Sequence, residues 1–142
     1  MTGPEGGRTV GGGGDPASSV LVEVSGGVAR ITLNVPARLN AVDAEMLATV
    51  ASAVEAFADD PTVRVITLTG AGRGFCAGAN LDVDLAGGES VDSSTLYAAG
   101  RVVRALVASP KPTVALVGGV AAGVGVSLAL ACDYVVASES AS

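Results

Sequence analysis

Apolar positions in this chain fall into short runs bounded by glycine or proline, and each run carries the period of one kind of element. Val20-Leu21-Val22-Glu23-Val24 and Val28-Ala29-Arg30-Ile31-Thr32-Leu33 flank Ser25-Gly26-Gly27. β-Branched residues on both sides of a glycine-containing turn predict a hairpin. Residues 34–40 read as a loop, because Pro36 keeps the chain out of helix there. From Asp43 the period changes: Leu47, Val50, Val54 and Phe57 recur at spacings of three and four, which marks one buried helical face. Asp43 is placed as the N-cap, Met46 as the third helical residue, and Glu45 favourably for the helix dipole. Asp59-Asp60-Pro61 ends that helix.

Residues 63–69 are β-branched enough to predict a strand running straight into Gly70. A second helix is predicted over residues 94–108, with Leu96, Ala99, Val103 and Leu106 turned inward, and Pro110-Lys111-Pro112 breaks it. Thr113-Val114-Ala115-Leu116-Val117 is a short strand closed by Gly118-Gly119. Residues 123–132 form a helix without a polar face, which predicts burial on all sides. Asp133-Tyr134-Val135-Val136-Ala137 is a last strand. The recurring order of strand, glycine turn, helix and strand predicts an α/β layer architecture.

Composition narrows the function classes. A chain of 142 residues is long enough for one core and buries roughly 68–70% of its unfolded surface. With 49% hydrophobic and 15% charged residues, a packed interior is expected and disorder is not. The net charge of −6 and eight scattered basic residues exclude nucleic acid as a partner, since phosphate binding needs clustered Lys and Arg. Residues 1–19 are rich in Gly, Pro and Ser, with no apolar segment of signal-peptide type. They read as a flexible leader before a folded unit over residues 20–142, and a cytoplasmic location is expected.

Two cysteines, Cys76 and Cys132, make neither a disulfide framework nor a metal-binding spacing. Both read as small buried hydrophobes. A nucleophilic Cys76 is the sharper alternative, but the chain contains no histidine, and its thiolate would depend on a helix N-terminus alone. Gly70-Ala71-Gly72-Arg73-Gly74 resembles a dinucleotide fingerprint until the third glycine position, which is Phe75. No Walker lysine follows the later glycines either. Residues 113–132 carry no charge, and Gly119 and Gly123 form a small-xxx-small pair, so a membrane-spanning helix is an alternative there. Its glycines, at roughly 0.8–1.0 kcal/mol each relative to Ala in a helix, favour strand, turn and helix instead.

Two segments remain, Gly74-Phe75-Cys76-Ala77-Gly78-Ala79-Asn80-Leu81 and Gly118-Gly119-Val120-Ala121-Ala122-Gly123-Val124-Gly125. Each adjoins an apolar run, and together they can aim backbone N–H groups at one point. Such fixed donors in a dry pocket stabilise an oxygen that becomes negative, because they need not reorient. Without histidine, chemistry here must rest on backbone dipoles, carboxylates, hydroxyls or thiols.

These segments, with Leu33-Asn34 through Asn40-Ala41, Pro110-Lys111-Pro112 and the run from Gly118 to Asp133, resemble the crotonase (enoyl-CoA hydratase/isomerase) family. The likeness runs from about Val20 to the last residue and corresponds in length to the N-terminal half of a typical member. It implies a truncated spiral of ββα units that binds an acyl-CoA thioester, in fatty acid metabolism, as a lyase or isomerase. No metal is implied, and no cofactor beyond the coenzyme A that is part of the substrate. Motif for motif, the oxyanion-hole donors fall at Ala79 and Val124. Ala77, Gly78, Asn80, Leu81, Asp82 and Gly123 line the CoA moiety, with Arg38 near its phosphates. Asn80 stands where Asp is common.

Where hydratases of the family carry one catalytic glutamate this chain has Ser127, and their second glutamate lies downstream of Ser142. A hydroxyl of ordinary pKa does not act as a base near neutrality without an activating partner. Weak or absent catalysis is therefore expected of this chain alone, with acyl-CoA binding without turnover as the alternative. The helices by which whole members form trimers or hexamers also lie beyond this length, so such assembly is not expected of it.

Overall fold

The computed structural model describes residues 8–9, 17–80, 82–83, 89–90 and 93–142. Strands β1 (Arg8–Thr9), β2 (Val20–Ser25) and β3 (Val28–Leu33) run antiparallel. The β2–β3 register ends with Ser25 opposite Val28, so Gly26-Gly27 is a two-residue turn. Both glycines hold positive φ, the conformation that follows the twist of the flanking strands. Within the stretch expected as a leader, Arg8–Thr9 adds an edge strand to β2; residues 1–7 and 10–16 lie outside the described residues.

The loop predicted over residues 34–40 contains one 3-10 turn, Pro36–Arg38. Proline excludes helix for the residue before it but fits the first turn itself, where its missing N–H is no loss. Helix α1 (Ala44–Ala58) begins as predicted, with the Met46 N–H donating to the Asp43 carboxylate at 2.8 Å. Asp43→Ala is expected to lower stability by about 1 kcal/mol, read as a lower urea midpoint with an unchanged slope. At the other end, the Lys111 ammonium donates to the carbonyls of Phe57, at 2.7 Å, and Asp60. It thereby satisfies groups that a helix C-terminus leaves open.

Strand β4 (Val65–Gly70) lies parallel to β3 and leads into the short strand β5 (Gly74–Cys76). The backbone pair β6 (Asp82–Val83) and β7 (Glu89–Ser90) precedes α2 (Ser93–Ala108). Then β8 (Thr113–Val117), β9 (Val120–Ala121), α3 (Val124–Ala131) and β10 (Tyr134–Ala137) follow. The large sheet has the order β1-β2-β3-β4-β8-β10, parallel from β3 onward, and β5 pairs in parallel with β9 in a second, small sheet. The unit of long strand, short strand and helix thus occurs twice, as β4–β5–α2 and β8–β9–α3. The core fills with Ile31, Leu33, Ile66 and Leu68 from the sheet, Met46, Leu47 and Phe57 from α1, and Phe75 from β5.

Two expectations are corrected. The inner face of α2 consists of Thr95, Ala98, Ala99, Val102 and Leu106, whereas Leu96 is 55% exposed and Val103 half-buried. The buried face is turned by about one residue from the expected one, and Ala99 and Leu106 belong to both; Ala98 and Ala99 are inside because small side chains let α2 approach α1 closely. Helix α3 is not buried on all sides either: Leu128 and Ala129 are, but Val126 is 40% and Leu130 72% exposed. It lies beside β10, the edge strand, whose Tyr134, Val135 and Val136 are exposed as well. An apolar surface shows what a helix is able to bury, and among the described residues nothing covers this one.

Candidate functional site

Strands β5 and β9 place two loops side by side. Their register sets Cys76 opposite Ala121, and the Ala122 N–H extends the pairing by donating to the Cys76 carbonyl at 3.1 Å. Ala79 and Val124 each follow three residues after these paired ends. Gly78 has φ +120°, open to glycine and costly for other residues; a Cβ on it would stand 3.3 Å from the Ala122 carbonyl oxygen. A Cβ on Gly123 would stand 3.9 Å from the Gly78 Cα. The loops therefore meet backbone to backbone, with no side chain between them.

Several amides near the two positions are already engaged, though those of Gly78 and Gly123 donate no backbone hydrogen bond among the described residues. The Ala77 N–H donates to the Leu39 carbonyl at 3.0 Å and the Asn80 N–H to the Val42 carbonyl at 2.7 Å. The Gly125 and Val126 N–H groups donate to Ala122 and Gly123 at 2.8 and 3.0 Å. Among the described residues, neither the Ala79 nor the Val124 amide donates a backbone hydrogen bond. Val124 opens α3 and carries one of the N–H groups that a helix start leaves without an intrahelical acceptor.

One face of the first loop rests on residues 39–42: besides the two bonds above, the Val42 N–H donates to the Gly78 carbonyl at 2.9 Å, in a parallel bridge centred on Ala79. Asn40 sits at the root of that segment with φ +61° and 0% exposure. Its Oδ1 accepts from the Val35 N–H at 2.7 Å, and its Nδ2 donates to the carbonyls of Ala71 and Gly74 at 2.9 and 3.0 Å. The sequence presents Asn40 only as part of a motif. Its signal there is weak: Asn tolerates the left-handed region better than most residues.

The predicted site residues are mostly brought together. Ala77, Ala79, Asn80 and Val124 are half-buried, Gly78 is buried and Gly123 exposed. Arg38 is exposed on the 3-10 turn, next to the Leu39 carbonyl that holds Ala77. Leu81 lies outside the described residues. Asp82 is described by its backbone alone, paired with Ser90 in β6–β7. Ser127 is exposed on α3, its N–H donating to the Gly123 carbonyl at 3.3 Å. Among the described residues, no group of three His, Cys, Asp or Glu gathers where a metal ion would fit.

Neither thiol is poised to react. Cys76 is buried, which pushes its pKa up, and its Sγ–H donates weakly to the Gly78 carbonyl at 3.8 Å. Burial, opposed by the Thr113 hydrogen bond and aided by the Asp133 charge, pushes Cys132 up to about 11 from 9.0. An unfolded chain ionises Cys132 near pH 9 and the folded one near 11, so stability present below pH 9 falls as pH rises through that window. Native protein at pH 7.5 is expected to leave Ellman's reagent colourless over minutes, whereas the urea-unfolded chain releases colour from both cysteines. Rapid reaction of one thiol in the native state would revive the nucleophile reading of Cys76.

Residues 113–132 are divided between β8, β9 and α3, and among the described residues no helix is long and apolar enough to cross a membrane. Repeated ββα units whose loops meet through bare backbone define the architecture as an α/β protein of stacked ββα units. The chain belongs to the enoyl-CoA hydratase/isomerase family, whose model matches residues 23–142. It is 44% identical over 126 residues to the 1,2-epoxyphenylacetyl-CoA isomerase of Escherichia coli K12, covering 86% of this chain and 48% of that one. The crystal structure of an enoyl-CoA hydratase from Mycobacterium avium subsp. paratuberculosis superposes with a TM-score of 0.78 at 43% identity, over 87% of this chain and 46% of that one. A monofunctional enoyl-CoA isomerase from M. smegmatis does so at 0.71 and 34%, over 87% and 51%. The fold is accordingly that of the crotonases, and the chain spans about half the length of the relatives it matches.

Proposed function

We propose that the paired loops form the oxyanion hole of an acyl-CoA site, with the Ala79 and Val124 N–H groups donating to the thioester oxygen. The observation that carries this reading is that, among the described residues, these two amides are left without backbone acceptors where two loops touch backbone to backbone. When a proton leaves the carbon next to the thioester, negative charge moves to the oxygen. Donors already in place stabilise that enolate, and losing one such donor costs about 10²–10³ in rate.

Acyl-CoA-binding proteins bearing the family's names match this chain throughout its ββα units, which supports a CoA thioester as ligand. Gly78 and Gly123 then admit the thioester to the backbone, with Ala77, Asn80, Leu81 and Asp82 alongside the CoA moiety. Arg38, exposed and cationic, suits its phosphates, and coenzyme A arrives as part of the substrate. Ser127 favours binding without turnover by this chain alone, since an exposed hydroxyl of ordinary acidity does not remove a carbon-bound proton. Enolate chemistry then needs carboxylates from elsewhere.

Isothermal titration with butyryl-CoA and with its thioether analogue S-butyl-CoA, which lacks the carbonyl, tests the reading. Tighter binding of the thioester is the expected result. Equal affinities would remove the oxyanion hole, and no heat from either at millimolar ligand would remove the acyl-CoA site.

A further inference from the structure

We infer that Asn40, some distance along the chain from both donors, is the positioning residue that sets the direction of the Ala79 amide. The inference rests on the acyl-CoA reading above and adds to it the device that fixes the geometry. Three parts of the chain meet on this one buried side chain: the loop after β3 through the Val35 N–H, the exit of β4 through the Ala71 carbonyl, and the start of β5 through the Gly74 carbonyl. All three polar positions of the amide are used, so it has no second orientation of equal energy. Gly70 leaves room for it, as a Cβ there would stand 2.7 Å from Nδ2.

Its own backbone lies between Leu39 and Val42, which hold Ala77, Gly78 and Asn80 by three main-chain bonds. Asn40 thus clamps the root of β5 to the ledge on which the Ala79 loop rests. Among the described residues, the Ala79 N–H, with that of Gly78 before it, is left over within that frame, and it is Ala79 that the acyl-CoA reading turns to the ligand. A donor displaced by about 1 Å loses about 10² in effect, so a clamp that fixes both ledge and strand decides whether the donor functions. Asn40 does not touch the ligand; it acts through residues 39–42.

Asn40→Gly keeps the positive φ without strain and removes the three side-chain bonds. Titrated as above, the wild-type chain is expected to prefer butyryl-CoA over S-butyl-CoA by tenfold or more. Asn40→Gly is expected to bind S-butyl-CoA within twofold of wild type while its preference for the thioester falls below threefold. A preference retained in Asn40→Gly, or a parallel loss of both ligands, overturns the inference and leaves the acyl-CoA site standing. A wild-type chain that binds neither ligand overturns the site itself and the inference with it.

Should the variant fail to fold, amide hydrogen exchange of the wild-type chain decides. The Val35 amide, held by the Asn40 side chain, is expected to open together with those of Val42, Ala77 and Asn80, at rates within threefold. Opening of Val35 tenfold or more faster than the other three shows that the clamp does not govern the loop.

Discussion

Gly125→Ala is expected to abolish the preference for thioester over thioether and to lower stability by about 1–3 kcal/mol, as overpacking of a tight contact does. A Cβ on Gly125 overlaps the Cys76 carbonyl oxygen and stands 3.0 Å from the Cys76 Cβ. Backbone on one side and a buried β5 residue on the other leave no flexible atom to yield, so the start of α3 must move away from β5. The Val124 amide moves with it, and a lost donor corresponds to about 10²–10³ in the stabilisation of a developing oxyanion. Substituting Val124 itself is a poorer probe, since every residue but proline keeps the N–H. Val126→Ala, on the exposed side of the same helix, is the matched control and is expected to change stability by less than about 0.5 kcal/mol. Wild-type thioester preference in Gly125→Ala would show that Val124 is not a donor.

Phe75→Ala is expected to cost about 3–5 kcal/mol, the range for emptying the site of a fully buried aromatic ring. Phe75 is fully buried in β5, the short strand that carries the first loop. A domain has about 5–15 kcal/mol in total, so the variant is expected to show a urea midpoint near half of wild type or to be largely unfolded. Both thiols should then become reactive, since Cys76 is its neighbour and is kept silent by burial. Leu130→Ala removes a similar apolar volume from the exposed side of α3, where 72% of the residue already faces solvent. It is expected to change the midpoint little. A loss below 1 kcal/mol for Phe75→Ala would mean that β5 is not anchored through its side chain.

Arg101 and Glu55 make the contrasting case of an interaction with small expected effect. Their ion pair at 2.7 Å links α2 to α1 and holds the Glu55 carboxyl below its ordinary range, chiefly through the hydrogen bond from Arg101. Both side chains are well exposed, where water and salt screen the attraction.

What the sequence determined by itself was local. Gly26-Gly27 between β-branched runs dictates the hairpin, because two residues at positive φ join antiparallel strands with the correct twist. Asp43 dictates where α1 begins, because its carboxylate reaches an otherwise unpaired N–H. The two glycine segments stand out as places where backbone is bare, and the family likeness is what points to Ala79 and Val124 as the proposed donors.

The tertiary structure decided everything that depends on partners far along the chain. Cys76 and Ala121 become neighbours only when β5 pairs with β9, and no local pattern encodes that register. Asn40 reads as one more loop residue until Ala71 and Gly74 arrive beside it. The face of α2 is set by fit against α1, which turns Ala98 and Val102 inward and Leu96 outward, and spacing alone does not encode that fit. Helix α3 is apolar all round yet exposed at Val126 and Leu130, because apolarity permits contact without supplying a partner. Local sequence sets which backbone conformations and surfaces are available at low free energy; which surfaces meet, and which amides are left over where they meet, is settled by long-range packing.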